Sequence, residues 1–200
     1  MSKLQRGARA RQHGYTLVEL MMALALFFVA MLGIISMQKI TVVSNAHAKN
    51  LAIAERIAQS WGGQLEMDAT TWRGAFGTGF LNSAAAWQRP AYIGGRNFGA
   101  AFDALGNPLT DSGTDLAKAR FCTHVRMSWL YPTTMGVGGN AMLRAEIRVF
   151  WQRDGEAPLD STATMCSAVQ TPAQATAIGL SAGSYYFVYQ TVGVRQHFQI

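Results

Sequence analysis

An apolar run of 18 residues, Leu20 to Met37, is the feature that most constrains this chain, and it follows directly after Glu19. From Leu20 to Ile35 it contains no polar side chain. Eighteen helical residues span about 27 Å, close to the hydrocarbon thickness of a bilayer. The run therefore predicts a membrane segment over about residues 17–37. An ionisable group costs free energy in or near lipid, so Glu19 at its start is a candidate functional residue.

The formal net charge of +6 comes mostly from the N-terminal tail. Lys3, Arg6, Arg9 and Arg11 lie within the first 14 residues, which contain no acid, whereas 13 Lys and Arg residues face 11 acids from residue 15 onward. Cations beside a membrane segment stay in the cytoplasm, so everything after the segment is predicted to lie outside the inner membrane. The charge therefore indicates membrane orientation and argues against nucleic acid as a partner.

Two simple interpretations of the N-terminus leave features unexplained. A secretory signal peptide would use the small-x-small site Ala46-His47-Ala48, but Ala48 lies far beyond Met37. The apolar run is also longer than the ~7–15 residues of a signal-peptide core. An uncleaved anchor fits the length of the run but gives Glu19 no purpose.

The stretch Gly14-Tyr15-Thr16-Leu17-Val18-Glu19 resembles the cleavage motif of type IV prepilins and type II secretion pseudopilins. In that family a short basic leader ends in glycine, and the fifth mature residue is usually glutamate. The resemblance implies a leader over residues 1–14, which prepilin peptidase removes by cutting between Gly14 and Tyr15. It also implies N-methylation of Tyr15, which stands where the family usually has Phe.

The same resemblance implies a role for Glu19 in subunit assembly, where its carboxylate would neutralise the terminal amine of a neighbouring subunit. An unpaired charge in a low-dielectric filament core is expensive, and the pair would also set axial register. A glutamate that only reaches the lipid headgroups is the simpler alternative. The implied partners are other pilins, prepilin peptidase, the inner-membrane assembly platform and membrane lipid.

The chain is predicted to have an α+β, pilin-like fold with a long N-terminal helix over residues 15–66 and a globular head over 67–200. Beyond the membrane segment, apolar side chains recur at steps of three and four, as on one helical face. The members of this stripe are Ile40, Val43, His47, Leu51, Ala54, Ile57, Ala58, Trp61 and Leu65. The stripe is expected to pack on the head, with His47 as a packed or capping residue. Within that segment the helix itself is expected to run to about Ser60, and Gly62-Gly63 is the predicted stop signal.

Residues 121–200 are predicted to form an antiparallel sheet of at least three strands. In the first, Phe121, Thr123, Val125, Met127, Trp129 and Tyr131 alternate with Cys122, His124, Arg126 and Ser128. The second covers 144–152, after a hairpin loop at 136–141, and the third runs from Tyr185 to Val194. Residues 67–118 show no lasting period and are expected to be loops with short elements.

The loop from Asp103 to Asp115 contains carboxylates of the kind that bind calcium, but its spacing lacks the EF-hand pattern and a solvated turn is the preferred interpretation. Cys122 and Cys166 are the two cysteines. If the head is exported, one disulfide between them would stabilise the fold by roughly 4 kcal/mol; two buried free thiols would suit a cytosolic domain.

Neither a catalytic motif nor a cofactor or metal motif is found, and the four histidines are scattered, so the chain is predicted to be a structural, self-assembling subunit. Major pilins often carry a proline about twenty-two residues into the mature chain, where this sequence has Ser36. The chain therefore looks most like a minor pilin of the PilV type, first in the inner membrane with its head in the periplasm and then in the surface pilus.

A type II secretion pseudopilin and a pilus-tip adhesin or DNA-binding module are the alternatives. The last would use a patch of arginines, which nearby acids weaken. Its candidate members are Arg96, Arg120, Arg126, Arg144, Arg148 and Arg153.

Overall fold

The computed structural model describes residues 15–69, 86–94, 98–131, 142–153 and 166–195. The predicted leader, its terminal Gly14 and the hairpin loop at 136–141 lie outside these ranges. The chain divides into two compact units, Met1–His47 and Ala48–Ile200. The second unit contains the sheet and the core, and corresponds to the predicted head together with part of the long helix.

The first element is the long helix α1, Leu17–Ala69, of 53 residues. It runs through Gly62-Gly63, so the prediction that it ends near Ser60 is wrong. A Cβ added at Gly62 would lie 3.2 Å from Val192 Cγ2, so this glycine allows close approach of helix and sheet. Gly63 is exposed and has open space around it. The pair of glycines is therefore a packing feature within α1, and the sequence alone does not distinguish this from a stop.

Only the last part of the predicted stripe packs on the head. Ala54, Ile57, Ala58, Trp61 and Leu65 are buried in its core. Within the same unit as the head, Leu51 is exposed, so the expectation that it packs there is wrong. Ile40, Val43 and His47 belong to the first unit and are exposed. Helical periodicity identifies an apolar face but not how much of that face is covered by the same chain.

The sheet has four antiparallel strands in the order β1-β2-β3-β4. The strands are β1 Ala101–Phe102, β2 Phe121–Tyr131, β3 Met142–Gln152 and β4 Tyr185–Arg195. β3 and β4 pair without irregularity from Met142↔Arg195 to Gln152↔Tyr185, whereas β2 has a register shift between Trp129 and Tyr131. The predicted α+β fold, a long N-terminal helix on an antiparallel sheet, is confirmed.

The helix α2, Gly113–Leu116, lies where loops with short elements were expected, whereas α3, Pro172–Leu180, was not predicted from the sequence. In α3, Thr171 and Gln174 form a capping box and Pro172 occupies the first turn. The expectation that residues 121–200 are sheet is therefore wrong for this segment. A Thr-Pro-x-Gln start is a helix signal, but only nine residues follow it and their apolar pattern is weak.

The sheet buries both of its faces over part of its area. One face packs on α1 and contains Val125, Leu143, Ile147 and Trp151. A second cluster on the other face joins Cys122, Phe150 and Tyr185 to Ile178 of α3. His124 and Arg148 are also buried, at 0% and 2% exposure. Alternation predicted a solvated face here; the segment carrying α3 covers that face instead.

Candidate functional site

The start of α1 brings Thr16 and Glu19 together. The backbone N–H and the hydroxyl of Thr16 both donate to Glu19 Oε2 at 3.0 Å. In return the Glu19 N–H donates to Thr16 Oγ1 at 3.3 Å. This is a capping box, with Thr16 before the first helical residue and Glu19 at its third position. Tyr15, the predicted first mature residue, is 89% exposed and lies outside the helix.

Thr16 is a site residue that the sequence argument missed. A Thr-x-x-Glu pattern before an apolar run is the sequence signature of a capping box, so the signal was present in the motif itself. The cap gives the Glu19 carboxylate hydrogen-bond donors within its own chain. It also places negative charge in the first helical turn, where the helix dipole favours it.

The apolar run after Glu19 presents its side chains outward all round. Within the described residues, α1 is the single helix long and apolar enough to cross a membrane, and the 18-residue window that qualifies has a mean hydropathy of 2.5 with none of it buried. Its large apolar side chains from Leu20 to Met37 are between 45% and 72% exposed. Exposed apolar surface on this scale is unfavourable in water and suits lipid or other apolar helices.

Cys122 and Cys166 form a disulfide, and both residues are fully buried. The bond joins β2 to the segment that leads into α3, across 44 residues of sequence. The carbonyl oxygen of Cys166 also accepts a hydrogen bond from Arg89 Nε at 3.2 Å. This end of the second sheet face is therefore held both covalently and by hydrogen bonding.

Arg148, His124 and Gln170 form a buried network between the sheet and α3. Arg148 Nη2 donates to His124 Nδ1 at 2.7 Å and to the Ala175 carbonyl. Because arginine can only donate, His124 Nδ1 is the acceptor and Nε2 carries the hydrogen. Nε2–H then donates to Gln170 Oε1 at 2.6 Å. Burial lowers the pKa of His124 to about 3, and the charge of Arg148 acts in the same direction.

Arg148 is a buried cation that lies among aromatic rings. Its guanidinium lies 4.3 Å from the centre of the Trp87 ring, and Arg126 lies 4.9 Å from the same ring. Burial lowers the pKa of Arg148, whereas a hydrogen bond with Tyr189 raises it. A Cβ at Gly179 would lie 2.0 Å from Arg148 Nη1, so this glycine makes room for the guanidinium. The hydrogen bond to the Ala175 carbonyl and the close approach at Gly179 connect Arg148 of the sheet to α3.

The candidate arginine patch is not a continuous exposed surface. Arg148 is buried, and its place in an exposed patch was predicted wrongly. Arg126 and Arg144 both pair with Glu146. Arg153 stacks on Tyr186, with 4.3 Å between the guanidinium carbon and the ring centre. Arg120 is partly buried, and Arg96 lies outside the described residues.

Each carboxylate of the candidate calcium loop has hydrogen-bond donors of its own. Asp103 accepts from the backbone N–H groups of Leu105 and Asn107 at 2.8 Å, as in an Asx turn. Asp111 pairs with Arg89, and Asp115 accepts from Thr110 at 2.6 Å. Within the described ranges no group of three or more His, Cys, Asp or Glu side chains could hold a metal ion.

Comparison with known proteins gives one match. Residues 9–35 match the family model described as the prokaryotic N-terminal methylation motif. Searches of curated proteins and of solved structures gave no match. The matched segment contains the predicted cleavage site, the Thr16–Glu19 cap and most of the apolar run. The match indicates an N-terminal segment of the prepilin type, similar to that of type IV pilin-like proteins.

Proposed function

We propose that this chain is a minor pilin of a type IV pilus. In this proposal prepilin peptidase cuts between Gly14 and Tyr15 and methylates the new amino terminus. The segment over about residues 17–37 then holds the chain in the inner membrane, with its head in the periplasm, until the assembly platform inserts it among other pilins. The observation that carries the proposal is the match over residues 9–35, in which Glu19 lies at the start of an exposed apolar helix.

Glu19 would change partners during assembly. Before assembly its carboxylate accepts from the Thr16 N–H and hydroxyl. In the filament it would pair with the amino terminus of a neighbouring subunit. The cap limits the cost of an ionised carboxylate near lipid in the free subunit, and the intersubunit pair limits the same cost in the filament core.

The continuity of α1 supports a minor rather than a major pilin. At the place where major pilins often carry a proline, Ser36 donates its hydroxyl to the carbonyl oxygens of Leu32 and Gly33, at 3.0 and 2.9 Å. The backbone there keeps its helical hydrogen bonding, whereas a proline would remove one bond and loosen the helix.

The intact mass and the N-terminal sequence of the chain from sheared filaments test the processing. We expect a chain that begins with N-methylated Tyr15. A chain that begins at Lys49 would mean a signal peptide and would overturn the proposal. An unprocessed chain in cells with active prepilin peptidase would leave a simple anchor and would also overturn it.

Deletion of the chromosomal copy tests which filament is served. Loss of a minor pilin should abolish or thin the surface pili and stop twitching motility. Retention of exoproteins in the periplasm with normal pili would instead identify a pseudopilin of a type II secretion system. Normal pili that no longer adhere or take up DNA would identify a tip-binding module.

A further inference from the structure

Within the part of the chain that the structure describes, the outer edge of β4 from Phe187 onward has few of the features that keep a sheet edge unpaired. Within the described residues β4 pairs only with β3, and its 11 residues stay in register without a bulge. The strand contains no proline, and Arg195 at its end is its one charged residue. Natural edge strands are usually short, bulged, charged or covered, because open N–H and C=O groups attract another strand. Among the described residues this edge is long and regular, and before Arg195 it carries no charge.

A groove of about 340 Å³ runs beside that edge, between β4 and one side of α1. Its β4 wall is Val188, Tyr189 and Gln190, and its α1 wall is Leu51, Glu55 and Gln59 at steps of four residues. Leu51 is 44% exposed and Val188 is partly buried, whereas the Tyr189 ring lies on the other face of the sheet, beside Trp87 and Phe187. Leu51 and Val188 therefore offer apolar surface to a side chain of a strand that pairs with β4.

Glu55 gives the groove a charge preference. It is exposed, lines the groove and has no ion pair among the described residues. A partner strand with Lys or Arg opposite this carboxylate would complement it. Two copies of this chain joined through β4 supply only Arg195, at the end of each strand, which fits this position poorly.

We propose that the β4 edge and its groove bind an extended strand of a different subunit, which carries a basic side chain opposite Glu55. Main-chain hydrogen bonds to β4 would provide the pairing, and the groove and Glu55 would select the partner. This inference rests on the proposed function, because it assigns the surface by which the head contacts its neighbour in the filament.

Photocrosslinking in cells that assemble the full chain tests the occupant. A photoreactive amino acid at Gln59, which lines the groove, should give an adduct with an extended peptide of a neighbouring subunit that contains Lys or Arg. The matched control is Ser60, which is exposed on the same helix but does not line the groove. Equal adducts from both positions, or an adduct with β4 of a second copy, would overturn the proposal.

Charge exchange tests the role of Glu55. Glu55→Lys should lower the adduct yield about two- to fivefold, the range for a partly exposed ion pair. A reciprocal Lys→Glu or Arg→Glu change in the captured peptide should restore it. Glu66→Lys makes the same change outside the groove on α1 and should have no effect. If both variants behave alike, or if the reciprocal change restores nothing, the charge preference is wrong.

Hydrogen exchange tests the strand pairing itself. In filaments, compared with detergent-solubilised subunits, alternate amides between Phe187 and Val194 should gain protection, since the other half already bond to β3. Uniform or absent protection would overturn pairing at this edge. If the processed chain is found in filaments but shows neither the Gln59 adduct nor the alternating protection, this inference alone is overturned. An unprocessed chain would overturn the proposed function.

Discussion

Glu19 and Thr16 can be separated experimentally, although they form one cap in the structure. Glu19→Val should leave membrane insertion and head folding intact but greatly reduce the amount of chain in filaments, because the neighbouring amine keeps no counter-ion. Thr16→Val removes the hydroxyl and keeps the carboxylate, so it should retain most assembly. The measurement is the ratio of chain in sheared filaments to chain in membranes. Equal incorporation of Glu19→Val and wild type would refute the charge-pair role.

His124 should make the head less stable in acid. Its pKa in the folded chain is about 3, below the ordinary value of 6.5, so between these values the unfolded chain binds more protons than the folded one. Stability is therefore full above about pH 6.5 and falls as the pH drops, by up to about 1.4 kcal/mol per pH unit. Burial lowers the pKa of His124 most, the charges of Arg148 and Arg89 lower it further, and the hydrogen bond with Gln170 raises it.

Between pH 7 and pH 5 Asp103, Asp111 and Asp115 stay ionised, because hydrogen bonds from their neighbours outweigh burial and hold their pKa values below 3.8. The contribution of His124 is then found by comparison with a variant. The measurement is urea unfolding of the full chain in detergent, followed by tryptophan fluorescence. His124→Gln removes the titrating ring and should flatten the slope. An equal slope in wild type and variant would assign the acid sensitivity to other groups.

Glu19 and both cysteines could be identified from the sequence alone. An ionisable group beside an apolar run, and a single pair of cysteines, are recognisable without any knowledge of the fold. It gave no sign that Arg148 and His124 are buried. Their strand alternation placed them on a face predicted to be solvated, and only the position of α3, about 25 to 50 residues further along, makes that face interior. Long-range burial of this kind is not encoded in a local period.

Among the elements, α1 offers a matched pair of adjacent glycines. Gly63→Ala should raise the free energy of unfolding by about 0.5–1 kcal/mol, because alanine is the better helix former and the added Cβ meets open space. Gly62→Leu should lower it by about 1–3 kcal/mol, because a larger side chain would press on Val192 and Ile147. Denaturant unfolding measures both, and equal effects of the two changes would mean that α1 does not approach the sheet closely at Gly62.

Element boundaries were predictable where one period runs undisturbed. The first long strand was expected at residues 121–131 and is observed there, because 11 alternating residues resemble nothing else. The C-terminal end of α1 was misplaced, since glycine favours both a helix stop and a close helix–sheet contact. The tertiary partner, here Val192, decides between them.

At the scale of the whole molecule, the disulfide connects β2 to the segment that carries α3. This segment, together with the sheet face it covers, is the second layer of the head. Cys122→Ala with Cys166→Ala should lower the free energy of unfolding by about 2–5 kcal/mol. The loss includes chain entropy over 44 residues of separation. Wild type treated with a thiol reductant should match the double variant. If reduction leaves the unfolding midpoint unchanged, the hydrogen bonds of Arg148 and Arg89 hold this layer without the disulfide.

The fold class followed from the sequence because one long helix and three long strands dominate the chain, and their patterns are independent of one another. The interior of the second layer did not follow, since it depends on a nine-residue helix, a turn and a buried cation that meet only in the folded head. The proposed partner strand could not be predicted from the sequence either. It is inferred from the pairing of β4 in the folded head, which no single residue of the strand indicates.

The cap at Thr16 has a further consequence for maturation. Helices can extend backward when nothing stops them, and a helical peptide bond is shielded by the turn around it. Because Thr16 turns the chain out of the helix, Tyr15 lies in non-helical backbone and α1 begins only at Leu17. In the proposed processing, prepilin peptidase would cut before Tyr15, two residues ahead of the start of α1. The cap would then fix the number of residues between that cut and the helix that contains the apolar run.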